Sequence, residues 1–416
     1  MIKSDILDNG LCLLPESMPD VRSISLGVWL TRGSRDEGEG KENSGIAHFT
    51  EHMLFKGTTR RSAEEIAQQV DSLGGQLDAF TAKECASYYI KILDEHLPQA
   101  VDLLSDLLLR PAFESVDVDR ERKVIQEEIK MVEDIPDELV HELYTETFWP
   151  NHSLGRPILG SVDSIREITS ESLRNFFDQT YVADNLVIAA AGHLEHSLVR
   201  DLIENAFLNL SSRGTVDDTV VPVAKPGLHV CVKDIEQSHL CIGLEGYSQV
   251  DDKRYSSYVF NTVLGGSMSS RLFQNIREKR GLAYAVNSGL ESYRDVGLLT
   301  IYAGCDSASV CEVVDLVIAE LNTLKTSLVS DSELQRAKDH LKGNLVLGLE
   351  STASRMAQLA RSEIYFGRQI DLAENLEHLD KVTVEDVRCV ANDFFKKDGI
   401  AVTILGPESD PVLSVN

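Results

Sequence analysis

The amino-acid sequence predicts an α+β protein of two homologous domains, each a mostly antiparallel sheet packed against helices. Three observations carry this expectation. A chain of 416 residues exceeds the roughly 250 to 300 residues at which a single hydrophobic core stops growing. The same order of strand, helix, strand pair and helix recurs with an offset of about 215 residues. Between the two copies, LSSRGTVDDTVVPVAKPGLH collects Ser, Gly, Asp and Pro without helical periodicity, as a linker does. The expected division is therefore residues 1–210, a linker at 211–228, and residues 229–416.

In the first copy SISLGVWL, Ser23 to Leu30, reads as a buried strand because its apolar run is short and rich in branched residues. A helical stretch follows, then a glycine turn, the strand pair LDAFTAKECASYYIKIL and the helix DEHLPQAVDLLSDLLL. The second copy repeats the order with SHLCIGLEG, KRYSSYVFNTVLGG, AYAVNSGLESYRDVGLLTIYAGC and SASVCEVVDLVIAELNTL. Further helices are predicted in both copies, several opening on a Ser, Thr or Asp able to cap the free amides of the first turn.

With 43% apolar and 26% charged residues the composition is that of a globular protein. The N-terminal residues MIKSDILDNGL hold no apolar run of signal-peptide length, and the longest apolar stretches fall short of the roughly 20 residues a membrane helix needs. A cytoplasmic protein without a membrane anchor is expected. The 7 cysteines are scattered and form no CxxC pair, which speaks against a disulfide framework or a thiolate metal site. A formal charge of −27 would repel nucleic-acid phosphates and suits basic or neutral substrates. No GxGxxG follows a strand and no GxxxxGK[ST] occurs, so nucleotide binding has no support.

Chemistry concentrates in SGIAHFTEHMLF. His48 and His52, four residues apart, present both imidazoles on one side of a helix, with Glu51 beside them. This HxxEH order supplies two neutral nitrogen ligands and a carboxylate able to deprotonate an attacking water. A catalytic metal site needs a third protein ligand. In VDRERKVIQEEIKMVED the apolar positions Val124, Ile125 and Val132 mark one stripe, and Glu121 and Glu128 fall on it at helical spacing. Carboxylates on an apolar face are costly unless paired or metal-bound, which favours Glu128 as third ligand and Glu121 as a supporting group behind it.

These residues resemble the pitrilysin and insulinase family of metallopeptidases, in its mitochondrial processing peptidase branch with bacterial relatives. The resemblance spans nearly the whole chain and rests on HFTEHMLFKGT, on ERKVIQEEI with Glu128 placed 76 residues beyond His52, on GGQLDAFTAKECASYY and on LGGSMSSRLFQNIREKRGLAYAV. It implies Zn2+ held by His48, His52 and Glu128, Glu51 as general base and Glu121 as a supporting carboxylate. It further implies that Arg277 and Tyr284 approach the bound peptide, where a guanidinium and a phenol can stabilise a developing oxyanion. The strand Leu77, Asp78, Ala79, Phe80 and Thr81 resembles the family's edge strand, on which a substrate peptide lies as an added strand. Many relatives carry Asn where this chain has Asp78. Family members enclose their site between two bowl-like halves, and this chain would supply half of such a clamshell. A homodimer, or a heterodimer with a paralogue, is thus implied, acting on short or unfolded peptides. The other reading open to such a sequence is a non-catalytic or obligate heterodimer subunit of a processing-peptidase-like complex.

Overall fold

The computed structural model describes residues 4–38, 40–212, 220–396 and 399–408. Along the chain run β1 (Asp5–Ile6), β2 (Cys12–Ser17), β3 (Ser23–Leu30), α1 (Ile46–Leu54), α2 (Ala63–Ser72), β4 (Gln76–Thr81), β5 (Ala86–Leu93), α3 (Leu97–Leu109) and α4 (Ser115–Asp134). There follow α5 (Pro136–Phe148), α6 (Val162–Glu167), α7 (Ser170–Thr180), β6 (Leu186–Gly192) and α8 (His196–Phe207). The second part holds β7 (Gly227–Val232), β8 (Ser238–Gly246), α9 (Arg254–Leu264), β9 (Ala283–Ser292), β10 (Gly297–Cys305) and α10 (Val310–Thr326). It closes with α11 (Asp331–Gly348), α12 (Thr352–Phe366), α13 (Leu372–Lys381), α14 (Val384–Phe394) and β11 (Ala401–Gly406). Thr383 caps α14 as expected, while α7 is capped by Thr169, one residue before the expected Ser170, and α2 by Ser62.

Two sheets result, ordered β1-β2-β6-β3-β5-β4 and β7-β11-β8-β10-β9. Each is antiparallel except for one pair, β2 with β6 and β7 with β11. The α+β expectation with duplicated, mostly antiparallel sheets therefore holds.

The central strands explain the continuous apolar runs seen in the sequence. On β3, Ile24, Leu26, Val28 and Leu30 enter the main core of the first sheet, while Trp29 packs on the other face with Met356 and Leu359 of α12. On β8, Leu240, Ile242 and Leu244 enter the second main core, while Cys241 packs on the other face with Val140, Tyr144 and Phe148 of α5. A strand covered on both faces has no polar side, hence no alternation.

Those covering helices come from the other half of the sequence. The compact units are residues 1–130, 156–220 and 348–369 for the first sheet, and 131–155, 221–347 and 370–416 for the second. The contiguous division at 211–228 does not describe these units: helical periodicity shows that α5 and α12 have an apolar face, but not which sheet that face covers. Of the expected linker, residues 213–219 lie outside the described residues.

Candidate metal centre

Helix α1 owes its orientation to a two-sided sequence. Ile46, Phe49, Met53 and Leu54 are buried in the first core. His48, Glu51 and His52 lie half-buried on the remaining side, with the two imidazole centroids 4.5 Å apart. Gly45 precedes the helix at φ 91, a left-handed conformation that glycine adopts at no steric cost. Both oxygens of the buried Glu37 accept amides at this end, from Gly45 at 3.0 Å and Ala47 at 2.9 Å. Burial raises the Glu37 carboxyl to about 8 against the pull of these two amides, but both of its oxygens accept N–H donors, the arrangement of the ionised form.

Helix α4 brings the second set. Its buried positions are Val118, Glu121, Ile125 and Ile129. Val124, expected on this stripe, instead stands 45% exposed, one position round the helix from Ile125. Glu121 and Glu128 nevertheless face α1, Glu121 buried and Glu128 about one-third exposed. One Glu128 oxygen, Oε2, lies 3.9 Å from His48 Nε2 and 3.5 Å from His52 Nε2. One donor atom from each of the three residues lies within 4.8 Å of the others. Ligand atoms around a tetrahedral zinc with bonds of about 2.0 to 2.1 Å stand about 3.3 to 3.4 Å apart, near the 3.5 Å between Glu128 and His52 and somewhat closer than the 3.9 Å to His48. Among the described residues Glu128 Oε2 is buried without a hydrogen-bond partner, which is expensive for a carboxylate unless a cation fills the gap. Two imidazoles and one carboxylate are a donor set suited to zinc.

The surroundings prepare these donors. Burial, with the neighbouring His52 adding to it, lowers the His48 pKa to about 3, so the imidazole is neutral and free to ligate. His52 Nδ1 meets Glu121 Oε1 at 3.0 Å, and Lys56 Nζ meets Glu121 Oε2 at 2.7 Å. Burial opposes the charge on Glu121, but the bonds from His52 and Lys56 outweigh it and hold the carboxyl below its ordinary range. Burial raises Glu51, against the pull of a short hydrogen bond from Thr81 Oγ1 to Glu51 Oε2.

Strand β4, carrying Leu77 to Thr81, is an edge of its sheet and pairs with β5 alone among the described residues. Asp78 accepts from Tyr89 Oη at 3.2 Å, and Phe80 stacks edge-on against Trp29 at 5.4 Å. Thr81, expected to meet a peptide, also positions Glu51.

Arg277 and Tyr284 belong to the second unit, and there they meet. Arg277 lies in a π-helical turn, Phe273–Glu278, with its guanidinium 4.7 Å from the Phe273 ring and 5.2 Å from the Tyr284 ring. Tyr284, on the edge strand β9, is 79% exposed. Both line a pocket of about 410 Å³ with the glycine loop from Gly265 to Met268. Sequence reasoning missed Lys56 and Glu37: a lysine one turn past His52 and a glutamate in the loop before α1 carry no periodic signal.

A family model described as Insulinase (Peptidase family M16) matches residues 13–162, which include His48, Glu51, His52, Glu121 and Glu128. One described as Peptidase M16 inactive domain matches residues 167–341, which include Arg277 and Tyr284. An uncharacterized zinc protease of Bacillus subtilis is 40% identical over 410 residues, covering 99% of each chain. The chain belongs to the M16, or pitrilysin and insulinase, family of peptidases. Another member, an uncharacterized zinc protease of Streptomyces coelicolor, is 38% identical and covers 98% of this M16 chain and 90% of its own. The fold of this chain is shared with a protease from Helicobacter pylori, at a TM-score of 0.91 and 23% identity over 98% of this chain and 99% of that one. No helix among the described residues of this M16 protein is long and apolar enough to cross a membrane.

Proposed function

We propose that this M16 protein is a zinc-dependent endopeptidase that hydrolyses short or unfolded peptides. One observation carries the reading: donors of His48, His52 and Glu128 converge within 4.8 Å while Glu51 stands beside them on the same helix. Zinc at this site would supply Lewis-acid polarisation of the peptide carbonyl and a more acidic water. Glu51 takes the proton of the attacking water and returns it to the leaving amine, and Thr81 aims its carboxylate. Glu121, braced by Lys56, fixes the tautomer and orientation of His52. Arg277 and Tyr284 serve as donors to the oxyanion, in keeping with the resemblance. The free edge of β4 takes the substrate as an added strand, a mode that needs an extended peptide. The charge of −27 favours basic peptides. A cytoplasmic dimer, of two copies or with a paralogue, completes this reading.

A non-catalytic subunit would have no use for an intact HxxEH, a third carboxylate and a base, so the complete set favours catalysis. The test combines metal analysis with two variants. Purified protein is expected to carry about one zinc per chain. His48→Ala should lose the metal, whereas Glu51→Gln should retain it and cleave an unstructured peptide about 10²- to 10⁴-fold more slowly. Glu51→Gln turnover near the parental rate would refute the assigned base.

A further inference from the structure

The two histidines of α1 are held in different ways. The His52 ring has a polar brace in Glu121 and Lys56. His48 Nδ1 is buried and has no hydrogen-bond partner among the described residues. With no polar brace on its ring, His48 depends on the backbone that carries it, and the amide directly before it, Ala47 N–H, is bound to Glu37. We infer that Glu37 is a positioning residue for the metal centre, whose buried carboxylate clamps the first turn of α1 and thereby places His48. The inference rests on the zinc reading above.

Three features make the clamp rigid. First-turn amides of a helix have no partner within the helix, and two of these donors are satisfied by one carboxylate whose oxygens both act as acceptors. A negative group is also favoured at a helix N-terminus, which helps to offset the cost of burying Glu37 at 4% exposure. Finally, the segment leading to Glu37 is pinned to the turn just after Thr81: Ser34 N–H donates to Ala82 O at 3.0 Å and Arg35 N–H to Lys83 O at 2.8 Å. A Cβ at Gly33 would stand 2.3 Å from Ala82 O, so the close approach depends on glycine. Beyond Glu37, Arg156 donates to Gly38 O at 2.9 Å and Gly40 O at 3.1 Å. One braced loop thus ties the helix of the histidines to the turn that follows the partner of Glu51.

Glu37→Gln keeps the shape but turns one acceptor into a donor that faces an amide. Loss of an outer partner costs metal sites about 10- to 100-fold in affinity, and the zinc dissociation constant of Glu37→Gln should rise by at least about 10-fold in chelator competition on the full chain. Thr50→Val is the control. It removes a different buried bond of α1, Thr50 Oγ1 to Ile46 O at 2.7 Å, and should lower stability while leaving zinc affinity within about twofold. Reduced stability of Glu37→Gln with parental zinc affinity would make Glu37 merely structural and overturn the inference, whereas failure of the parental protein to bind zinc would overturn the reading beneath it. Should Glu37→Gln not fold, hydrogen exchange on the parental metal-free protein decides. Gly45 and Ala47 amides should exchange slowly, and fast exchange at both would show that the clamp does not exist.

Discussion

Lys56 brings the charges around the centre into balance. Glu51, Glu121 and Glu128 place three carboxylates around the imidazoles of His48 and His52, and a divalent cation bound there would offset two of them. The ammonium of Lys56, 2.7 Å from Glu121, offsets the third. Without it a buried carboxylate would protonate or turn away, and either change ends its role as the ionised acceptor for His52. Lys56→Met is accordingly expected to weaken zinc binding about 10-fold, and Lys56→Arg to preserve it. Equal affinity of Lys56→Met and parental protein in chelator competition would mean that Glu121 holds His52 unaided. At this scale the sequence was legible where periodicity spoke. The spacing of four brought His48 and His52 together, and helical spacing put Glu121 and Glu128 on the face turned toward α1, although Val124 lies off that face. Lys56 and Glu37 were not legible, because a half-exposed lysine and a loop glutamate look the same in sequence whether they are solvated or locked in place.

Elements tell a similar story through two glycines. The strands β3 and β8 follow the bounds expected for SISLGVWL and SHLCIGLEG, since a run with no polar side must be covered twice. Each carries a glycine where the covering helix presses closest. A Cβ on Gly27 would lie 2.6 Å from Met356 Sδ, and one on Gly243 would lie 1.4 Å from Tyr144 Oη. The sulfur ends a flexible chain and can yield. Tyr144, 1% exposed, cannot. Replacing a strand glycine by alanine ordinarily gains about 0.5 to 1 kcal/mol. Here the overlap with a buried ring should dominate, for a net loss of about 1 to 3 kcal/mol, read as a lower urea midpoint for Gly243→Ala. Tyr144→Phe should shift stability by less than about 0.5 kcal/mol, because its buried hydroxyl finds no partner among the described residues. A midpoint for Gly243→Ala at or above the parental value would contradict the packing of α5 on β8.

For the whole molecule, the exchange of α5 and α12 decides what can fold alone. The duplication was visible in the repeated order of elements, but a repeat suggests two self-sufficient halves, and these halves are not self-sufficient. Residues 1–212 contain α5, which belongs to the second sheet, and lack α12, which covers Trp29, Leu14 and Val187 of the first. Residues 220–416 contain α12 and lack α5, so Cys241, Leu298 and Leu405 lose their cover. From α5 and its end, Val140, Tyr144, Phe148 and Trp149 are each at most 2% exposed. At about 1.5 to 3 kcal/mol for each fully buried side chain, the four together contribute on the order of 10 kcal/mol. That is as large as the whole net stability of a typical domain, about 5 to 15 kcal/mol. An uncovered sheet face would also form an apolar patch prone to association. Each fragment expressed alone should therefore aggregate or bind a hydrophobic dye, while co-expression of the two should return a soluble complex in which each helix finds its sheet. The measurement is size-exclusion chromatography with mass detection on the fragments singly and together. Two separately monodisperse, cooperatively unfolding fragments would show that the halves are independent domains and that α5 and α12 contribute far less than their burial indicates.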